Sequence, residues 1–445
     1  MLKLFNLRLL SILSILVSSQ FHAQILTSNG AIIQVNSGAL IFCNGGIEMT
    51  SSSQVINQGA IYTTKNSSLA LNGSFVINGS SVSSGNGDYF IEQDWKNNSV
   101  FNAGTSSVHL YGNTEQFITS DNFTETTFNN LILTGTGLGN DRKKTLLNAN
   151  SSCSPTGNLV INNRELSTDA NNFSVLNPST SAISFDNSFL AEGFVSSIMP
   201  GTLVRATNAS IAYVFPVGSS TGTERFRAVT IVPENTSNGA YAVRFNNYIA
   251  DVDSYFLSQK ETLIENANSL FYHSIERVSG NTNSEIKVQY LPTTDGEWKG
   301  ITHWYLANSQ WNSLGDLPQT TSGNYAEISR SGWNFPDASH AYALMNPANI
   351  IIVPTAFTPD GDGVNENWEI PNLDKQYPKN IVRIYNRWGN LLYEHDSSTD
   401  GAYASQPWDG TVNGDAMPVG SYYYIIDFNN LDNKSIKGIV TIVND

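Results

Sequence analysis

Apolar residues along most of this chain come in short alternating runs, and Asn and Gly break the runs at close intervals. From Ile25 to about Thr180 the pattern is one of brief strands and tight corners. Gly30, Gly38 and Gly46 fall eight residues apart. Val55-Ile56-Asn57 recurs as Val76-Ile77-Asn78, and Leu69-Ala70-Leu71-Asn72-Gly73 is followed directly by Phe75-Val76-Ile77-Asn78-Gly79. Phe128-Asn129-Asn130-Leu131-Ile132-Leu133 is echoed by Gly157-Asn158-Leu159-Val160-Ile161. Self-similarity at roughly 20 residues predicts a solenoid of the β-helix kind, because such a unit buries its apolar residues only by stacking on the next. Asn at the corners tolerates left-handed backbone and can pair with Asn in the neighbouring coil. A pair of antiparallel sandwiches would give the same short strands and stays open as the alternative.

The pattern changes further along. Ala212 to Gly218, Phe226 to Val232 and Tyr241 to Phe245 read as strands, the last two by clean alternation. Asp251 to Ala267 lacks Gly and Pro and spaces Phe256, Leu257, Leu263 and Ile264 near helical period, so it is the one predicted helix. Tyr272 to Val278, Ile286 to Tyr290, His303 to Leu306, Tyr325 to Ile328 and Ala341 to Leu344 form a second set of strands with turns between them, as in a small sandwich. Asn346-Pro347-Ala348-Asn349 reads as a linker. The expected organisation is all-β: 24–181 β-solenoid-like repeats, 182–262 a β-rich connecting module, 263–347 a β-sandwich-like module, and 350–445 a C-terminal Ig-like β-sandwich.

At the N-terminus, Lys3 and Arg8 precede the apolar run Leu9 to Val17 and the small residues Ser18, Ser19 and Ala23. That is the layout of a secretory signal peptide over 1–23, with cleavage left open between Ser19 and Gln24. The run is shorter than the roughly 20 residues a spanning helix needs, and no other segment is apolar enough to span.

Composition narrows the function classes. The 445 residues carry 23 Lys+Arg against 38 Asp+Glu, a net charge of −15, which argues against nucleic acid as a partner. Charged residues make up only 14% and hydrophobic residues 40%, so the chain is neither highly charged nor poor in core formers. The only two cysteines, Cys43 and Cys153, are either a disulfide or buried thiols.

Catalytic signals are sparse. Gly218-Ser219-Ser220-Thr221-Gly222 matches G-x-S-x-G, but β pattern follows it where a nucleophile elbow needs a helix. His22, His109, His273, His303, His340 and His395 include no pair at metal-ligand spacing. A glycosidase needs two carboxyls about 5 to 9.5 Å apart across a cleft. Asp88, Glu92 and Asp94, beside Tyr89 and Trp95, are the tightest acidic group, and such a patch would suit a sugar. No catalytic residue is expected, and the chain is read as a non-enzyme.

The final stretch carries the most specific motifs. It begins Phe357-Thr358-Pro359-Asp360-Gly361-Asp362-Gly363-Val364-Asn365-Glu366. It continues through Tyr385-Asn386-Arg387-Trp388-Gly389 and Trp408-Asp409-Gly410. Pro418-Val419-Gly420-Ser421-Tyr422-Tyr423-Tyr424 and Gly438-Ile439-Val440 close it. Asp360, Asp362 and Asn365 are candidate calcium ligands, although Val364 and Asn365 break the EF-hand pattern; no other cofactor is expected. The motifs, in this order, resemble the gliding-motility-associated C-terminal domain of Bacteroidetes, the type B sorting domain of the type IX secretion system. Two departures stand out: Asp360 replaces the usual Asn, and the chain ends Val443-Asn444-Asp445 without a basic residue.

The resemblance implies recognition by the type IX translocon and by a PorP/SprF-like outer-membrane partner. It also implies a secreted or outer-surface location, reached by a Sec signal peptide and then type IX export. The passenger is expected to be adhesin-like or structural. The alternatives are a polysaccharide-active or carbohydrate-binding protein on the same carrier, with surface glycans as partners, and an accessory component of the gliding or secretion machinery.

Overall fold

The computed structural model describes residues 13–15, 20–335, 341–348, 351–361, 364–429 and 434–443. The chain is all-β, with 49% strand and 5% helix, and divides into two compact units, 1–347 and 348–445.

The first unit opens as a solenoid. Two of its sheets have eight strands and a third has five, and within each sheet a strand pairs with the strand three elements further along the chain. The pairing is parallel throughout, which excludes antiparallel sandwiches for this region. Alternation fixes what faces inward: Ile41, Ile61, Tyr89, Val108, Leu131 and Leu159 lie directly opposite one another in successive coils and are all buried. Each such side chain contributes roughly 1.5–3 kcal/mol by leaving water. One stretch of the core is aromatic, with Trp95 stacked on Phe75 at 5.1 Å and meeting Tyr89 edge-on at 5.7 Å.

The sequence echoes divide in the structure. Leu131 and Leu159, from the two Asn-flanked runs, are true stacked partners. Val55 and Val76 lie in different sheets, and Leu69 to Gly73 is a corner and not a strand. Asn does pair across coils: Asn158 Nδ2 donates to Asn130 Oδ1 at 3.2 Å, and Asn98 Nδ2 to Asn78 Oδ1 at 2.8 Å. Cys43 and Cys153 are both buried free thiols, in different coils. Burial pushes each thiol up to about 12.

In the segment read as a signal peptide, Leu13–Ile15 and Gln20–Ala23 pair in parallel with Ile32–Val35 and Leu40–Asn44.

At its far end the solenoid runs on through one of its sheets. Thr202–Thr207 pairs in parallel with Asn172–Val175 on one side and antiparallel with Gly239–Asn246 on the other. The sheet then continues through Tyr272–Ser279, Ala341–Pro347, Gly300–Tyr305 and Gln310–Asp316. A second sheet runs from Tyr213–Phe215 through Val229–Pro233, Ser284–Tyr290 and Tyr325–Trp333 to Gln319–Ser322. Residues expected as a connecting module and residues expected as a separate sandwich therefore share both sheets.

The helix expected over Asp251 to Ala267 is absent. A 3-10 turn, Ala250–Asp253, ends at Ser254 in left-handed conformation, and Ile264–Ala267 is a strand pairing with Ala341–Pro347. The acidic side chains take over the local bonding. Asp251 Oδ1 accepts from Leu257 N at 2.7 Å, and Asp253 accepts from the hydroxyls of Tyr248 and Tyr272. Such side-chain bonds compete with a helix.

In the second unit a five-stranded sheet runs in the order Ala356–Phe357, Ser435–Ile442, Gly420–Asp427, Ile381–Tyr385, Leu391–Asp396. Its inner face, Val382, Ile384, Ile426, Val440 and Ile442, packs with Trp368, Leu373, Tyr403 and Trp408 from the intervening loops.

Candidate functional site

The motif residues of the second unit sort into those that build it and those it displays. Trp408 is fully buried, 5.3 Å from Phe357 and 5.4 Å from Tyr422. Its Nε1 donates to Thr411 O at 3.1 Å, and Asp409 Oδ1 accepts from Thr411 N at 2.9 Å, so the Trp408-Asp409-Gly410 turn ties itself off. Gly410 has φ +77°, and a side chain there would meet Pro359 at 3.0 Å. Gly438 is required for a different reason: a Cβ would lie 2.3 Å from the Tyr424 hydroxyl. Tyr422 OH donates to Pro418 O at 2.7 Å, closing the turn before Gly420. These groups are structural.

The opening loop is held partly by its own backbone. Thr358 N donates to Asn365 O at 3.0 Å, and Gly361 N to Glu366 Oε2 at 3.0 Å. Asp362 and Gly363, and with Asp362 part of the candidate calcium set, lie outside the described residues. Asp360 and Asn365 flank that gap. Among the described residues no group of three or more acidic, His or Cys side chains gathers at metal-binding distance.

Asn386 builds the display. Its Oδ1 accepts from Trp388 N and Asn390 N, each at 3.0 Å, and its carbonyl accepts from Gly389 N at 3.0 Å. The turn so formed pushes Arg387 and Trp388 outward. Trp388 is 73% exposed, with the Arg387 guanidinium 4.7 Å above its ring. Beside this turn lies an open groove of about 710 Å³, lined by Tyr385, Arg387, Tyr423, Ile425, Lys437 and Ile439 among others. Tyr385, Tyr423 and Ile439 stand opposite one another on three adjacent strands. Tyr423 and Ile439 are each 48% exposed. Arg383, in the next row, is neutralised by Glu394 and Asp427, each at 2.5 Å. Among the described residues, Arg387 and Lys437 have no carboxylate partner.

Residues 351–442 match the CHU_C type IX secretion signal domain. The match falls within the second compact unit. The chain thus carries the sorting domain of a type IX secretion substrate, type B, and that signal supports export to the cell surface or beyond. No curated protein and no solved structure matches the chain.

The motif reading of this signal domain included Tyr385, Arg387, Trp388, Tyr423 and Ile439 but not Ile425 or Lys437. Their signal lay in the alternation: with Val382 and Ile384 facing the core, Arg383 and Tyr385 must face out, and the paired strands follow.

The acidic-aromatic patch in the solenoid does not assemble as a sugar site. Trp95 and Tyr89 are fully buried. Asp94 Oδ1 accepts from Phe117 N at 2.8 Å, and burial raises its carboxyl above the usual range. Glu92 accepts from Lys65 N at 2.7 Å. Outward-facing aromatics do exist as a ladder: Tyr62 on Phe90 at 4.2 Å, and Phe90 on His109 at 4.3 Å, with planes 6° and 18° apart. The touching ring faces cover one another and are closed to a pyranose.

The remaining candidates have structural settings of their own. Gly218–Ser219 is a strand pairing with Arg225–Phe226, so the G-x-S-x-G match forms a hairpin. His273 Nε2 bonds Arg227 O at 2.9 Å, and His395 Nε2 bonds Gly401 O at 2.9 Å. His303 packs among Tyr305, Trp333 and Tyr342. The side chains of His22 and His340 lie outside the described residues.

Proposed function

We propose that the signal domain is the element read by the type IX export machinery, the translocon together with a PorP/SprF-like outer-membrane protein. Residues 1–23 act first, as a Sec signal peptide, in a host of the Bacteroidetes. The passenger is an adhesin-like or structural scaffold with no enzymatic role. The observation that carries the export reading is the coincidence of the matched residues 351–442 with a separate compact unit. The passenger reading draws support from a continuous apolar interior and a surface of cross-coil Asn, Ser and Thr bonds. In the Asp88, Glu92 and Asp94 cluster, two of the three carboxylates, Glu92 and Asp94, are committed to backbone amides.

The test is protease treatment of intact cells producing either the full chain or a chain ending at Pro347. The full chain is expected to be digested, and the truncated chain to be protected in the periplasm. Equal digestion of both would overturn the export reading. A translocon-deficient host producing the full chain should reproduce the protected state.

A further inference from the structure

The groove on the outer sheet face of the signal domain combines three features that together specify an occupant. The first is apolar and aromatic surface left in water: Tyr385, Tyr423 and Ile439 form one row across three strands, with Trp388 projecting from the adjoining turn. The second is access: the groove is shallow and open, about 710 Å³, so a partner's side chains can lie along it. The third is charge. In a chain of net charge −15, Arg387 and Lys437 both line this groove without a carboxylate partner among the described residues, whereas the neighbouring Arg383 has two. Cations left unpaired beside an apolar surface are complementary to carboxylates arriving with an apolar anchor.

The geometry points to an acidic protein segment as the groove's occupant: an apolar or aromatic side chain seated against Tyr385, Tyr423 and Ile439, flanked by carboxylates that meet Arg387 and Lys437. The inference rests on the export reading above and names the chemistry of the partner that reads the signal. Arg387 is suited to a bidentate carboxylate contact, and its stacking on Trp388 holds the guanidinium in place for it.

The experiment uses the full chain in the native host, with surface proteolysis as the readout and the melting temperature of each purified variant as the folding control. Arg387→Glu with Lys437→Glu is expected to lower the surface-exposed fraction about tenfold, because it sets like charges against the acidic partner. Tyr423→Ser with Ile439→Ser should do the same by removing the apolar seat. Arg387→Lys with Lys437→Arg keeps both charges and should export close to normally. If charge reversal lowers the melting temperature, Arg387→Gln with Lys437→Gln is read in its place.

Normal export of both the charge and the apolar variants, with the chain ending at Pro347 still retained, would remove the groove from recognition and leave the export reading intact. Export of the truncated chain would remove both. Flotation of the purified full chain with phosphatidylglycerol vesicles, lost in the charge-reversal variant, would replace the protein partner with a lipid surface.

Discussion

Lys144 is a cation sealed inside the solenoid. It is fully buried and points inward opposite Gln116 of the preceding coil. Its Nζ donates to Gly112 O at 2.8 Å and to Gln116 Oε1 at 2.5 Å, and Gln116 Oε1 also accepts from Gly112 N at 2.7 Å. Desolvation, helped by nearby Arg164, pushes the amine down to about 7. An unfolded lysine titrates near 10.4. Between these values the unfolded chain binds a proton that the folded chain does not, so stability should rise as pH increases from about 7 to about 10.4, and the full penalty applies below about 7. Comparing chemical unfolding of the wild type and Lys144→Met across pH 6–10 should show this component, of order 4 kcal/mol, only in the wild type. Lys144→Met should be neutral or stabilising at pH 7, since apolar replacement of a buried charge often is. From sequence, a lysine beside Lys143 looks like surface; only the strand register turns one inward. The same limit misplaced Tyr89 and Trp95. Their neighbours Asp88, Glu92 and Asp94 made them look like a patch, while alternation sends Tyr89 to the core.

At the scale of elements, one short helical turn ties strands of the sandwich together. The turn Pro292–Asp295 presents a fully buried carboxylate that accepts from Leu291 N at 2.8 Å and from Arg227 Nη2 at 2.7 Å, with Arg225 Nε 3.6 Å away. His273 bonds the Arg227 carbonyl, and burial pushes its imidazole down to about 4, so it adds no third positive charge at neutral pH. Asp295→Ala leaves Arg227 buried without its counter-charge and should cost about 3–5 kcal/mol in urea unfolding. Asp295→Asn, which keeps part of the hydrogen bonding, should cost less. Strands were the legible elements, because alternation over Phe226 to Val232 and Tyr241 to Phe245 marks extended chain, although both faces of these strands are covered and Arg227, Thr230 and Arg244 are buried as well. The segment Asp251 to Ala267 misled because its spacing fits a helix while Asp251 and Asp253 spend their oxygens on a different local fold. The groove was half legible. Asn386 and Gly389 announce a turn, but the row formed with Tyr423 and Ile439 depends on pairing between distant strands.

For the whole molecule, the repeat reading succeeded in kind and failed in detail. Coils stack in parallel as the period implied, yet the corner loops vary in length, so textual echoes such as Val55 and Val76 fall on different sheets. In a stack of this kind each coil contacts only its neighbours, and stability is close to a sum of local terms. Excising residues 60–87 joins Gly59 to Asp88 and removes one strand from each of the three sheets in register. It sets Ile41 against Tyr89 and Ile47 against Trp95, apolar on apolar. The shortened chain should fold and melt cooperatively, and solution scattering should find the first unit shorter by one strand spacing, about 4.8 Å. The strand Thr202–Thr207 gives this freedom its direction. Its parallel edge takes whatever coil comes before it, and its antiparallel edge belongs to the sandwich alone. The solenoid is therefore a ruler with fixed graduations, whose reach can be lengthened or cut in single steps while the parts that follow it are inherited unchanged.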